Sequence, residues 1–249
     1  MNMLNIISTP IGNLDDLSIR QAKTLATSDI ILAEDTRSAK TLLDAIKKRF
    51  PELVKGRYKT DPYADSTDLT DLTDYQKPIV WSYYLEKEFQ KLPEIIDLLK
   101  EGKNISLISE AGTPLVSDPG YLLVSSCIKR NLPITVIPGP SAITTALVYS
   151  GFNPQEHMFL GFFPRRENQI IQLIDRLKQI KTIFPEMVFV LYESPLRIKE
   201  TLRCIDTSKL NVEVVICREM TKKFEEIIRG PVEEMIKRDY KGEITVVIK

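Results

Sequence analysis

Short apolar runs alternate along the chain with amphipathic stretches of helical period. Runs at 3–7, 30–33, 79–81, 105–108, 134–137, 188–192, 212–217 and 244–248 read as strands. Stretches at 17–26, 37–48, 89–99, 121–128, 142–149 and 168–180 read as helices. Regular alternation of the two predicts an α/β architecture with largely parallel strands. The rhythm restarts after residue 118, so the expected organisation is an N-terminal α/β domain over 1–118 and a C-terminal α/β domain over 119–249. One segment, about 51–78, breaks the pattern. It holds the threonine-aspartate repeat DSTDLTDLTD at 65–74 and reads as a solvated insertion, with a lid or docking element as the other reading.

The bulk composition excludes more than it selects. With 43% hydrophobic and 27% charged residues the chain is ordinary for a globular protein. Lys+Arg and Asp+Glu both number 34, so wholesale electrostatic binding of nucleic acid is not indicated, although a local basic patch stays open. Cys127, Cys204 and Cys217 have no CxxC spacing, which argues against a disulfide framework or zinc site and for reduced, buried thiols in a cytoplasmic protein. A single histidine, His157, read here as structural, excludes a histidine-based triad and a multi-histidine metal site. No apolar run approaches the roughly 20 residues that span a bilayer, and the first residues lack signal-peptide character, so no membrane association is expected.

Three segments share one grammar, in which an apolar run ends and Gly, Pro and small hydroxyl residues follow. They are STPIGN at 8–13, SEAGTPLVSDPG at 109–120 and PGPS at 138–141. Glycine allows close approach of a ligand to backbone, and proline stiffens the loop. Such loops at the carboxyl ends of strands are where α/β sheets bind ligands. None matches the usual nucleotide-binding fingerprints. For each loop the plain alternative is a tight turn that serves the fold alone.

Charge clusters follow other runs. In AEDTRS, Glu34 and Asp35 adjoin, and Arg37 follows; a strand would turn only one of the two carboxylates toward a given cleft. The alternative is that Asp35 or Thr36 caps the next helix. In YESPLRI, Ser194-Pro195 reads as a helix N-cap with proline at the first helical position, leaving Tyr192 and Glu193 to line a pocket. The polar stretch CREMTKKFEEIIRG, 217–230, reads as a solvated turn or a polar wall of the site. Arg165-Arg166 follow GFFP, a composition that suits RNA contact.

STPIGNLDD, AEDTR, SEAGTPLVSDPG, VIPGPSAITTAL, GFFPR, YESPLRI, REMTK with EEI and RG, and KGEI occur in this order. Together they resemble the tetrapyrrole-methylase superfamily of S-adenosylmethionine-dependent methyltransferases, and within it the branch that methylates a cytidine ribose 2′-hydroxyl in small-subunit ribosomal RNA. The resemblance implies two α/β domains with the cofactor in the cleft between them, in a homodimer. It implies cofactor contacts from Pro10, Gly112, Thr113, Pro114 and Val116, from Ser141 and Ala142, and from Tyr192 near the adenine. The chain departs from that branch in places. Tyr84-Leu85-Glu86-Lys87 follows Ser82-Tyr83 where the branch has His-Glu-His-Asn, Glu110 and Leu115 stand where it has Asp and Gly, and Leu196 stands where it has His.

A ribose hydroxyl is a poor nucleophile, so a positioned base is expected. Asp35 is the first candidate and Glu34 the second, with Arg37 holding a phosphate or polarising the ribose. The acceptor implied is ribosomal RNA or the small ribosomal subunit. Two alternatives remain: a methyltransferase of the same fold acting on a small, tetrapyrrole-like molecule, and a catalytically silent cofactor- or RNA-binding relative. The neutral charge and the lost histidines support these alternatives.

Overall fold

The computed structural model describes residues 3–55, 78–208 and 212–249. Most of the segment read as an insertion, including the 65–74 repeat, lies outside the described residues; its start is the short helix α3 (Pro51–Lys55). The chain forms two compact units, one running to Pro10 and from Leu14 to Pro140, the other made of Ile11–Asn13 and Ser141–Lys249.

The first unit is built on strands β1 (Leu4–Ile7), β2 (Ile30–Ala33), β3 (Ile79–Ser82), β4 (Ile105–Ile108) and β5 (Ile134–Ile137). They form one sheet in the order β3-β2-β4-β1-β5, with every pairing parallel. The strands read as predominantly apolar runs, and the central ones, β1, β2 and β4, are buried on both faces. Leu4, Ile6, Leu32 and Leu107 pack on one face against α4 (Leu85–Lys100) and α5 (Tyr121–Lys129) through Ile95, Leu99, Leu123 and Cys127. Ile7, Ile31, Ala33 and Ile108 pack on the other against α1 (Ile19–Thr27) and α2 (Thr36–Arg49) through Ala22, Leu25, Leu42 and Ile46. Each such buried Leu or Ile contributes ~1.5–3 kcal/mol.

The second unit holds β6 (His157–Phe162), β7 (Val188–Glu193), β8 (Val214–Arg218), β9 (Glu226–Arg229) and β10 (Ile244–Ile248), with helices α6 (Ala142–Ser150), α7 (Glu167–Ile183), α8 (Ile198–Thr207) and α9 (Val232–Ile236). The sheet order is β6-β7-β10-β8-β9. Here the expectation of largely parallel strands fails: only β6 and β7 run parallel, and the other three pairings are antiparallel. One face carries α7, α8 and α9, and the other carries α6 together with Ile11.

The units divide at Pro140 and Ser141, beyond the boundary expected at 118/119. The reason is β5, which pairs with β1 over four residues and so holds α5 and β5 in the first sheet. Ser194 is also not the N-cap expected. It opens a turn, accepting a bond from the Leu196 amide (3.3 Å), and α8 starts only at Ile198 after Arg197. All three cysteines are buried and free, with the Cys127 and Cys217 thiols pushed up to about 11 and about 12 by burial.

Candidate active site

Strand order creates the site in the first unit. The chain leaves β1 for α1 on one face of the sheet, and leaves the adjacent β4 for α5 on the opposite face. Neighbouring strands whose connections depart to opposite faces open a crevice at their carboxyl ends, where α/β sheets take ligands. The loops of that crevice are STP after β1 and SEAGTPLVSDPG after β4, with AEDTR after β2 on the far side of β4.

The first two loops are stitched together. Thr9 and Gly112 exchange both backbone hydrogen bonds (2.7 and 3.1 Å). The Ser8 and Thr113 hydroxyls lie 2.9 Å apart, and Ser109 Oγ donates to the Gly112 carbonyl (2.9 Å). Pro10, Gly112, Thr113, Pro114 and Val116 therefore sit on one joined structure. Leu115 and Ser117 adopt left-handed backbone (φ 72° and 70°), a conformation unfavourable for residues with a Cβ. The Leu115 side chain holds its place by packing into the core shared with α4 and α5, against Gly120.

Two residues that the sequence reading passed over anchor this arrangement. Gln21, fully buried on α1, donates through Nε2 to the Ser8 carbonyl (2.7 Å), while its Oε1 accepts the Ser18 amide (2.6 Å) in a capping box. A side chain at Gly139 of the PGPS segment would collide with this amide, which explains that glycine. Glu88, buried on α4, accepts from the amides of Leu122 and Leu123 (2.8 and 3.3 Å). It thereby caps α5 from outside, because the N-cap position there is Gly120, which has no side chain to do so. The capping box is visible as Ser18…Gln21; nothing local marks Glu88.

The charged candidates separate by environment. Asp35 caps α2, accepting the Arg37 amide (2.7 Å), and its carboxylate is gripped by the Arg37 guanidinium (2.7–3.2 Å). Those hydrogen bonds hold its carboxyl down at about 2. Glu34 goes the other way: burial, then the neighbouring Glu110, Asp35 and Glu86 carboxylates, raises it. Asp118, near the end of the SEAGTPLVSDPG loop, is raised to about 7 by burial and by Glu34 and Glu110. None of Glu34, Glu110 and Asp118 forms an ion pair among the described residues. Three acids thus crowd the carboxyl ends of β2 and β4 without an ion-pair partner among the described residues.

The remaining candidates belong to the second unit. Ser141 is the N-cap position of α6 and makes no side-chain cap bond; Ala142 opens the helix. Tyr192 lies near the end of β7, its ring edge-on to Phe159 and Phe162 with centroids 4.9 and 5.4 Å away. The 217–230 stretch turns between β8 and β9 with Lys223, Phe224 and Glu225 exposed, while its REMTK part is held internally. Lys222 bonds Glu219 (3.1 Å) and Glu243 (2.9 Å), and its aliphatic stem covers Gly12 so closely that any side chain there would collide. REMTK, KGE and IGN are one clamp.

Comparison with known proteins decides the family. Residues 3–236 match the family described as Tetrapyrrole (Corrin/Porphyrin) Methylases. The chain belongs to this family. S-adenosylmethionine is the methyl donor of its methyltransferases. The chain is 40% identical, over all of its length and 98% of the relative's, to ribosomal RNA small subunit methyltransferase I of Thermotoga maritima. It is 36% identical to the protein of the same name from a Hydrogenobaculum species, across 98% of this chain and 94% of that one. A crystal structure of diphthine synthase shares the fold at 10% identity, with a TM-score of 0.63 over 99% of this chain and 89% of the other.

Proposed function

We propose that this methyltransferase acts on the 2′-hydroxyl of a cytidine ribose in small-subunit ribosomal RNA. The observation that carries the acceptor is full-length similarity, at 40% identity, to a protein named for that RNA. S-adenosylmethionine, when bound, supplies a methyl group activated by a positively charged sulfur. The donor set suits such a ligand: rigid backbone at Gly112 and Thr113, and an acidic patch whose Glu34, Glu110 and Asp118 form no ion pair among the described residues. On this reading Pro10, Gly112, Thr113, Pro114, Val116, Ser141, Ala142 and Tyr192 are the cofactor-binding residues. Glu88 and Gln21 act through the loops they pin.

The chain's acid–base work falls to Asp118 and Glu34. A base that titrates near neutral pH takes a hydroxyl proton more effectively than one held at about 2, so Asp35, the first candidate in the sequence, becomes a capping residue. Because the carboxylates are coupled, the proton belongs to the group rather than to one oxygen. Arg37, 90% exposed in its side chain, completes the Asp35 pair and stays available to a phosphate. We place the protein in the cytoplasm as a homodimer, with exposed Leu85 and Phe89 of α4 and Tyr121 of α5 as apolar surface for the second copy.

The test combines labelled S-adenosylmethionine with small subunits from cells lacking the protein, followed by nucleoside analysis. Labelled 2′-O-methylcytidine is the expected product. A second reading, a small-molecule acceptor, is favoured by Tyr84-Leu85-Glu86-Lys87 standing where the RNA branch has its histidines. Unlabelled subunits together with normal cofactor binding would move the search there.

A further inference from the structure

Phe162 closes β6 with 57% of its surface exposed. The ring does not swing freely. It stands edge-on to Tyr192 at an interplanar angle of 64°, and Tyr192 is braced in turn by Phe159. The next residue, Phe163, is buried and donates its amide to the Tyr192 carbonyl (3.0 Å). Then come Pro164 and two exposed arginines, Arg165 and Arg166, neither of which pairs with a carboxylate among the described residues.

The turn that carries them is fixed from below. Arg197 donates to the carbonyls of Pro164 (3.1 Å) and Phe163 (3.4 Å). Its other nitrogen pairs with buried Glu193 (2.5 Å), which also accepts from the Ser194 amide and the Thr201 hydroxyl (2.6 Å each). A buried carboxylate is tolerated only when so fully satisfied. Its arrangement here stiffens a turn whose two arginines pair with no carboxylate among the described residues, so little ordering is left to be done when a ligand arrives. An exposed aromatic face accepts any planar base, and two unpaired guanidiniums accept phosphates. Stacking requires a base that is not already in a helix, which selects single-stranded over duplex RNA.

We propose that Phe162, Arg165 and Arg166 form a contact for single-stranded RNA, in which an unpaired base stacks on Phe162 and the arginines neutralise two backbone phosphates. The assignment rests on the ribosomal RNA reading above. It is tested by fluorescence anisotropy with a cytidine-rich single-stranded RNA of twelve nucleotides and a duplex of equal length, at several salt concentrations. Phe162→Ala should weaken binding of the single strand about tenfold. The Arg165→Ala/Arg166→Ala pair should also weaken it and lower the slope of log affinity against log salt by about 1.4. S-adenosylmethionine affinity by calorimetry should stay unchanged in both. Single-strand binding within twofold of wild type in both variants overturns the contact, as does preference for the duplex. A loss of cofactor affinity in Phe162→Ala also overturns it, and assigns the aromatic group to the methyl donor. Wild-type labelling of subunits separates the cases. Labelled subunits with unaffected variants defeat only this contact, whereas unlabelled subunits defeat the reading beneath it as well.

Discussion

The two units use the same residue types in opposite ways. In the first, Glu34, Glu110 and Asp118 gather at the ends of parallel strands with no ion pair among the described residues; burial and nearby carboxylates push Glu34 upward, and burial, Glu34 and Glu110 push Asp118 upward. In the second, acids of the corresponding motifs are matched: Glu193 with Arg197, Glu219 with Lys222, Glu226 with Arg218 and Arg238. A compensated carboxylate is architecture, because its charge is consumed in holding two segments together. Asp118, uncompensated and raised to about 7, is instead a candidate for chemistry. Asp35 shows that the division follows the partner rather than the unit. It lies beside Glu34 and is silenced by Arg37.

The comparison breaks most severely at Glu193. Glu193→Ala strands Arg197 and leaves the Thr201 hydroxyl and Ser194 amide unsatisfied, so urea denaturation should show a loss of ~3–5 kcal/mol. An unchanged midpoint would mean that the second unit does not depend on its matched charges. Glu88→Ala removes the external cap of α5, an effect of ~1–3 kcal/mol in stability. Its sharper signature is a raised KM for S-adenosylmethionine, since the SEAGTPLVSDPG loop ends where α5 begins; a stability loss with unaltered kinetics would make Glu88 purely structural. Leu115→Gly relieves ~1–2 kcal/mol of left-handed strain but forfeits apolar packing, so the net change in stability should be within about 1 kcal/mol. Asp35→Ala is the smallest in activity: kcat should hold while the helix loses a cap, and a collapse of kcat would return Asp35 to the role of base.

The first unit was far more legible than the second. All five of its strands fell on predicted runs, because strands of a parallel sheet flanked by helices are predominantly apolar. In the second unit two strands were missed: β6, whose apolar residues after His157 are half-exposed and bulged after Phe159, and β9, which places two isoleucines between charges. Strand direction left no local mark, nor did the pairing of β5 with β1 that set the true boundary. Helix α8 is strongly amphipathic, with Ile198, Leu202 and Ile205 on its buried face, and was within reach of the periodicity argument. For the site, the loops were readable from Gly and Pro, whereas Asp118 owes its character to Glu34 and Glu110, which are tertiary neighbours. The sequence ranked Asp35 ahead of Glu34, because only the folded chain shows that Arg37 grips Asp35.

The measurement that bears most directly on this account is the pH dependence of methyl transfer and of stability in wild type and Asp118→Asn. Asp118 titrates at about 7 in the folded protein and near 4 when unfolded, so between those values the folded state binds the extra proton. Stability should therefore fall as pH rises from about 4 to about 7, and Asp118→Asn should flatten that fall. Turnover needs the deprotonated form and should rise through about pH 7 in wild type. In Asp118→Asn, kcat should drop about 100- to 10,000-fold and that acid limb should disappear. A variant that keeps both the rate and the limb would contradict the assignment and show that the uncompensated carboxylates bind rather than react.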